Sequence, residues 1–295
     1  MFHRIFGTAL VLTLGLLSVT VQAATIGHWS FEGTGGDWLL DASGNGHDLT
    51  TRGSPSQYDL PATGVGSAFP NPVPLTGQPN LAAAQLSGAD QWLTAPDDDA
   101  FTTDTFTIET FLNIDPLPGS SESTPIVAGH FNSNDDQRGW FFAINRNDGP
   151  NAGKLQLAIS DNGETGAGNT EVIRSPSLAV EPGNDYYAAI AVDATDTSAD
   201  GITFYLQNLT DGGPLLSEGA THSQVTSLHN STAYFAIGAQ GRSSDSGNYF
   251  PGVVDEVRYS NAVLGPSQLL AVPEPGTCLL LATAALALLF RRRRR

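Results

Sequence analysis

Short runs in which apolar residues occupy alternate positions recur along the middle of this chain. The clearest run covers residues 106–114, where Phe106, Ile108 and Leu112 share one face of an extended strand. No stretch of ten residues between such runs has the 3.6-residue period of an amphipathic helix. The pattern therefore predicts an all-β domain.

Glycine, proline and asparagine separate the predicted strands. These strands are residues 26–31, 82–86, 92–95, 106–114, 125–131, 140–146, 155–160, 171–174, 186–192, 202–206, 234–238 and 252–259. Residues 52–80 contain six prolines, too many for a central strand, and are predicted to be a long surface excursion. Residues 266–270 are predicted to form one helical turn. Short strands that follow one another without helices favour an antiparallel sandwich of two sheets.

The first 23 residues do not follow this pattern. They begin with the basic residues His3 and Arg4, continue as an apolar run over residues 5–21 and end in small residues. This arrangement is typical of a secretory signal peptide and predicts cleavage between Ala23 and Ala24.

The last 24 residues have three parts. A short motif at residues 272–276 is followed by uncharged residues 277–290 and by five arginines at 291–295. The motif residues are Pro273, Glu274, Pro275 and Gly276. Alanine and leucine dominate the uncharged part and favour a transmembrane helix, although 14 residues reach only ~21 Å of a ~30 Å hydrocarbon core.

This ending resembles the PEP-CTERM sorting signal of Gram-negative bacteria, which a membrane protease called exosortase reads. The resemblance implies export through the secretory translocon and transient insertion of residues 277–290 into the inner membrane. It also implies cleavage near Pro273-Glu274-Pro275 and delivery to the cell surface or the extracellular matrix. An ordinary tail anchor would insert in the same way without being cut, but it has no use for the Pro-Glu-Pro sequence.

The exported segment, residues 24–271, is strongly acidic. It contains seven basic and 29 acidic residues, which give a net charge of −22. Such a surface repels nucleic acid and anionic lipid, and it attracts divalent cations. The single cysteine, Cys278, lies in the uncharged tail, so the exported segment has neither a disulfide nor a thiol nucleophile.

Four local patterns occur in order along residues 26–270. They are an aromatic strand leading to Asp41-x-Ser43-Gly44-Asn45-Gly46, then Phe106-Thr107-Ile108-Glu109-x-Phe111, then Tyr186-x-x-Ala189-x-Ala191-Val192 with Ile202-x-Phe204-Tyr205, and finally Phe250-x-Gly252-x-x-Asp255-Glu256-Val257-Arg258-Tyr259. In series they resemble the laminin-G-like branch of the concanavalin A-like lectin/glucanase superfamily. The resemblance implies a jelly-roll sandwich over residues 24–271. A tyrosine, Tyr186 or Tyr187, stands where members usually have Trp.

A turn at residues 41–48 offers carboxylate, amide and backbone oxygens, the ligands that Ca²⁺ requires. In the resembling family a calcium ion links the start of the domain to its closing strand, which adds Asp255. We therefore expect Asp41, Asn45 and Asp255 to hold a structural Ca²⁺. The alternative is that Asp41 caps an Asx-type turn and that Asp255 belongs to a capped, solvated pair of acids.

The sequence lacks the carboxylate motif of the glucanase members. Their Glu-x-Asp-x-(x)-Glu spacing is absent, because Glu109 is followed by Phe111 and Glu256 by Arg258. No catalytic residue is therefore predicted. Trp140 follows a polar loop and could stack on a sugar ring, although core burial is the common fate of tryptophan.

Tyr249 also follows a polar loop and is a second candidate for stacking on sugar. These observations lead to the hypothesis of an exported, non-enzymatic β-sandwich that binds or associates with extracellular polysaccharide. One alternative is an adhesive matrix protein whose assembly depends on Ca²⁺. A third, weaker alternative is a divergent glycoside hydrolase with displaced carboxylates.

Overall fold

The structure is a computed structural model that describes residues 24–60, 67–134, 136–165 and 169–273. The predicted signal peptide and the sorting signal from Glu274 onward lie outside these residues. The strands are β1 (Thr25–Trp29), β2 (Thr50–Arg52), β3 (Ser56–Asp59), β4 (Ala82–Ser87), β5 (Trp92–Ala95), β6 (Thr105–Ile114), β7 (Ile126–Asn132), β8 (Gln137–Ile144), β9 (Lys154–Gly163), β10 (Thr170–Ala179), β11 (Asp185–Asp193), β12 (Ile202–Asn208), β13 (Leu216–Ala220), β14 (Phe235–Ile237) and β15 (Pro251–Ser260). Short 3₁₀ helices span Asp37–Leu39, Asp99–Phe101, Gly149–Asn151 and Pro266–Gln268.

The strands form two antiparallel sheets. Sheet A has the order β13-β12-β11-β6-β15-β4-β3, and β1 also pairs with β15. Sheet B has the order β10-β9-β8-β7-β14-β5-β2. Half of the neighbouring pairs in these orders, such as β6 with β15 and β5 with β14, are distant in sequence, as in Greek-key and jelly-roll connections. The predicted all-β, antiparallel two-sheet jelly-roll sandwich is confirmed.

The core lies between the two sheets and is rich in aromatic rings. Trp29 stacks on Phe235 with ring centroids 4.8 Å apart, and Trp140 stacks on Tyr259 at 5.2 Å. All four side chains have no exposed surface. Because side chains alternate across a strand, the apolar positions at every second residue of β6 and β11 face this layer.

The opposite face of sheet A is also buried. Phe111 on β6 and Tyr187 on β11 lie there, and they pack in one cluster with Phe69, Val73 and Leu270 from outside the sheets. The predicted surface excursion at residues 52–80 is therefore partly wrong, because it supplies the edge strand β3 and an apolar cover for this face. The proline-rich sequence excludes a central strand, but it does not prevent packing.

Among the residues that the structure describes, no helix is long and apolar enough to cross a membrane.

Candidate functional site

Strand β15 changes direction at one residue. Glu256 has a φ of 50°, and the register with β6 slips between Asp255 and Arg258. The first half of β15 pairs with β4 and the second half pairs with β1. The bulge thus brings the acidic pair of β15 to the junction of three strands, a usual place for a re-aimed side chain.

The carboxylate of Asp41 is occupied by protein donors. Its Oδ1 accepts from the backbone N–H of His28 at 3.0 Å and of Ser43 at 2.9 Å. Its Oδ2 accepts from Ser43 Oγ at 2.8 Å and from the backbone N–H of His47 at 3.1 Å. Burial alone raises the pKa of Asp41, but the hydrogen bonds from Ser43, His28 and His47 outweigh burial and lower it.

Four donors saturate the lone pairs of a carboxylate, so Asp41 has none left for a metal ion. Asn45 serves the same turn, because its amide nitrogen donates to the carbonyl oxygens of Thr25 and Ile26 at 2.9 and 3.0 Å. These contacts argue against a calcium role for the Asp41 carboxylate. The Asn45 contacts use its amide nitrogen and not the oxygen that would bind a metal, so calcium binding by Asn45 stays a prediction. Both residues fix the turn to β1, which is the Asx-turn alternative.

Asp255 is different, because one of its oxygens has no partner. The residue has no exposed surface, and its Oδ1 accepts from the backbone N–H of Glu256 at 2.8 Å. Its Oδ2 makes no hydrogen bond to the residues that the structure describes. Burial and then the charge of Glu256 raise the pKa of Asp255 well above its usual range, against a smaller lowering by the side chain of Asn80.

Asn80, whose side chain lies near Asp255, also has a buried oxygen atom without a hydrogen-bond partner. It is 2 % exposed, its amide nitrogen donates to the Pro70 carbonyl at 3.2 Å, and its Oδ1 has no partner among the described residues. The Asn80 side chain lies near the Asp255 carboxyl, whose pKa it lowers. Each buried acceptor without a partner costs about 1–3 kcal/mol, so a proton donor or a positive charge at this place would be stabilising. A proton on Asp255 would meet this need, and so would a hard cation.

A cavity of about 460 Å³ is lined by Pro79 and Glu256, the sequence neighbours of Asn80 and Asp255. Glu32, Glu256, His28 and Gln78 contribute to its lining. The Glu256 Oε2 and His28 Nε2 atoms are 2.5 Å apart, and Glu32 Oε1 accepts from two backbone N–H groups. The cavity therefore contains several oxygen atoms that could bind a metal ion, and one imidazole ring.

The donor set around Asp255 suits a hard cation better than a soft one. Carboxylate and amide oxygens are the ligands of Ca²⁺, which needs six to eight of them. In the described parts of the chain, no three His, Cys, Asp or Glu side chains converge in metal-binding geometry. A cation at Asp255 would therefore depend on the Asn80 amide and on backbone carbonyls as well as on carboxylates.

Trp140 lies in the core and does not reach solvent. Its exposed fraction is 0 %, and its indole N–H donates to the Phe101 carbonyl at 2.8 Å. The candidate role of Trp140 in sugar stacking is thus corrected. The ring fills the space between the two sheets, where an apolar surface of this size is most stabilising.

Tyr249 lies at the surface and is half-buried. Its ring centroid is 5.7 Å from that of Trp92, which is 5 % exposed. Burial, followed by the charges of Asp245 and Asp90, raises the pKa of the Tyr249 hydroxyl, which is therefore neutral at physiological pH. Tyr249 thus presents a supported aromatic ring at the surface.

A second cavity, of about 500 Å³, opens beside this ring. Besides Tyr249 its lining includes Pro116, Pro118, Glu122 and Asn248, together with three serines. We call this place the Tyr249 cleft. An aromatic face, prolines, hydroxyls, an amide and a carboxylate in one concave surface can stack on and hydrogen-bond to a sugar.

Sequence reasoning did not identify Asn80, Glu32 or Glu122. Each lies in a loop with no periodic pattern, and each reaches its site through contacts across the fold. Asn80 is 175 positions away from Asp255 in the sequence. The only local signal at Asn80 was the preceding Pro79, which indicates a turn rather than a ligand.

Solved structures share this fold. Domain 4 of AbnA, a GH43 extracellular arabinanase from Geobacillus stearothermophilus determined with arabinotriose, is 16 % identical with a TM-score of 0.51, and the alignment covers 84 % of this chain and 97 % of that domain. The binding domain of botulinum neurotoxin DC, determined with rat synaptotagmin II, is 11 % identical with a TM-score of 0.52, at 84 % and 50 % coverage. The binding domain of Paraclostridial Mosquitocidal Protein 1 is 13 % identical with a TM-score of 0.50, at 84 % and 51 % coverage. The chain spans about half the length of each toxin domain, and these identities show a common fold alone.

No curated protein matches the sequence. A model of the PEP-CTERM protein-sorting motif matches residues 271–295, which marks a secreted, membrane-anchored precursor that exosortase processes for the cell surface. A model of the concanavalin A-like lectin/glucanases superfamily matches residues 87–269, more than half of the chain. The chain therefore belongs to the concanavalin A-like lectin/glucanase superfamily, as a laminin G-like β-sandwich with a PEP-CTERM sorting motif.

Proposed function

We propose that the processed protein binds polysaccharide in the Tyr249 cleft and does so without catalysis. The observation that carries this proposal is the half-buried ring of Tyr249, which contacts the Trp92 ring and lines a cavity together with prolines and polar side chains. Sugar rings present C–H groups that pack on aromatic faces, while their hydroxyls bond to the surrounding polar atoms. The proposed place of action is the extracellular matrix, where polysaccharide is abundant.

The structural neighbours support a binding role. They include binding domains of toxins and a domain that was determined with a bound arabinotriose.

The charge of the protein narrows the ligand class. Glu122 lines the cleft, and the segment 24–271 has a net charge of −22. An acidic polysaccharide would approach against this field, whereas a neutral one would not. The cleft is therefore expected to prefer neutral sugars.

A glycan array probed with the processed protein tests the proposal. We expect retention on neutral glycans, little retention on uronate-rich glycans, and no reducing-sugar release from any glycan that binds. Absence of retention across a broad array would overturn the binding function. Release of reducing sugar would instead support a glycoside hydrolase.

A second function is favoured by Asp255 and Asn80. We infer that a structural Ca²⁺ sits between Asp255 Oδ2 and Asn80 Oδ1, the two buried oxygens without partners. The ion would connect β15 to the cover of sheet A, and it would make a matrix-associated role depend on calcium. Loss of assembly but not of sugar binding on chelation would support this adhesive role.

A further inference from the structure

The last part of the fold before the sorting motif is held tightly against sheet A. We call residues 262–272 the C-terminal strap. Leu264, Leu269 and Leu270 are 3 %, 0 % and 0 % exposed, and they pack in the cluster that contains Phe111. The strap therefore buries most of its apolar surface.

A buried carboxylate anchors the strap by its backbone. Glu109 has no exposed surface, and its Oε2 accepts from the Leu270 N–H at 2.8 Å and from the Tyr187 hydroxyl at 2.5 Å. Its Oε1 accepts from Arg258 Nε at 2.6 Å, and Arg258 Nη2 donates to the Gln268 carbonyl at 2.7 Å. Charged hydrogen bonds in a buried place are the strong ones, so these contacts fix the position of residues 268–270.

The strap is also held at its other end. Thr107 Oγ1 donates to the Ala262 carbonyl at 2.7 Å and accepts from the Leu264 N–H at 2.9 Å. The Leu270 carbonyl accepts from the Leu75 N–H at 3.1 Å. The backbone is thus bonded from both sides up to residue 270.

The docked strap leaves little free chain before the sorting motif. Only two residues lie between Leu270 and Pro273, and the uncharged stretch starts at Thr277. Seven residues from Leu270 to Thr277 span at most ~25 Å, whereas a domain of this length is ~45 Å across. A docked strap therefore keeps a domain with a net charge of −22 against the membrane surface, where anionic lipid repels it.

Undocking would change this geometry. Release of residues 262–272 would add up to ~40 Å of extended chain between the folded body and the motif. Proteases that read peptide segments bind them as extended backbone, and backbone that is hydrogen-bonded within a fold is not available to them. We propose that the C-terminal strap is a latch that must leave Glu109 before exosortase can engage residues 273–276, so that the latch sets the rate of processing. This proposal depends on the sorting motif and is independent of sugar binding.

The latch is tested by a pulse-chase experiment in cells that contain exosortase. It measures the rate at which the full-length precursor is converted to the processed form. Glu109→Gln removes the charge that anchors residue 270, and Leu270→Ala removes apolar contact without touching Glu109. Each is expected to accelerate conversion at least about tenfold, because loss of a charged hydrogen bond in Glu109→Gln, or of a buried leucine side chain in Leu270→Ala, shifts a local opening equilibrium by at least that factor. A twelve-residue Gly-Ser insertion after Ala271 should accelerate conversion equally, and Glu109→Gln should add nothing to it.

Leu157→Ala, in β9 of sheet B and fully buried, is the matched control. It should lower the thermal midpoint as much as the strap variants and leave the conversion rate unchanged. Equal acceleration by Leu157→Ala would show that global stability sets the rate, and unchanged rates in all strap variants would also overturn the latch. Glycan binding by the processed Glu109→Gln protein separates this outcome from a failure of the binding function.

Discussion

The ring of Tyr249 leans on the ring of Trp92, with centroids 5.7 Å apart and planes inclined at 55°. Trp92 is fixed in turn, because its indole N–H donates to the Arg242 carbonyl at 3.2 Å. A surface aromatic ring that is held in one orientation loses less conformational entropy on binding than a free one. The pair is therefore the natural basis for a stacking site.

Removing the support should weaken binding even though Trp92 is nearly inaccessible to a ligand. Trp92→Ala is expected to lower the free energy of unfolding by about 3 kcal/mol, because a buried tryptophan leaves a large cavity. It is also expected to weaken glycan binding, since the Tyr249 ring loses its backing. Urea unfolding and titration with a glycan identified on the array measure the two effects.

The control for this prediction is a core variant far from the cleft. Leu157→Ala should lower stability to a similar degree and leave the glycan dissociation constant unchanged. A comparable loss of binding in both variants would mean that stability, rather than support of Tyr249, explains the effect.

The pH dependence of stability can distinguish a protonated Asp255 from an Asp255 that binds Ca²⁺. The native pKa of Asp255 is raised, so the native state retains a proton that the unfolded chain has already released. In EDTA, stability should therefore fall as pH rises from the unfolded value of about 3.9 through the native pKa. Asp255→Asn should remove this dependence and should be no less stable at pH 7, because its amide can donate to Asn80.

In EDTA, Asp255→Asn should be at least as stable as the wild type, whereas in Ca²⁺ the wild type should be the more stable of the two. At ~100 times the dissociation constant, a ligand adds ~2.7 kcal/mol to the free energy of unfolding. The wild-type protein should gain this amount in Ca²⁺, and Asp255→Asn should gain none. If Ca²⁺ does not change the thermal midpoint of the wild type, the calcium site is contradicted, and a protonated Asp255 carboxyl is the partner of Asn80.

The pH dependence of stability that comes from Asp41 should have the opposite sign to that from Asp255. The native pKa of Asp41 is lowered, so its contribution to stability is present above the unfolded value and is lost as pH falls through the native pKa. Asp41→Ala is expected to cost about 1–3 kcal/mol at pH 7, because three backbone N–H groups lose their acceptor. The loss should be the same in EDTA and in Ca²⁺.

Asp37 offers a comparison in the same region, because it is exposed. Asp37→Ala should change stability by less than about 0.5 kcal/mol. A calcium response that disappears in Asp41→Ala would contradict the turn role assigned to Asp41.

The strand pattern was predictable because it depends on local alternation. Residues such as Phe106 and Ile108 must face one side of a pleated strand, and burial of that side in the sandwich follows. The short edge strands β2, β3 and β13 were not predicted. They are polar or exposed, so their pairing depends on neighbours rather than on their own sequence.

The candidate sites were less predictable, because they depend on burial and on distant contacts. Trp140 and Tyr249 both follow polar loops, yet one fills the core and the other lies at the surface. Asp41 and Asp255 are both acidic residues of recognisable motifs, but their partners decide their chemistry. Asn80 meets Asp255 only after the cover of sheet A has folded.

Calorimetric titration of the processed protein with a neutral glycan identified on the array, using the wild type, Tyr249→Phe and Tyr249→Ala, tests the central claim. A single aromatic stacking contact is worth about 0.5–1.5 kcal/mol. Tyr249→Phe should retain most of the affinity, and Tyr249→Ala should reduce it about tenfold while lowering the thermal midpoint less than Trp92→Ala does. Equal affinity of Tyr249→Ala and the wild type would contradict the assignment of sugar binding to this cleft.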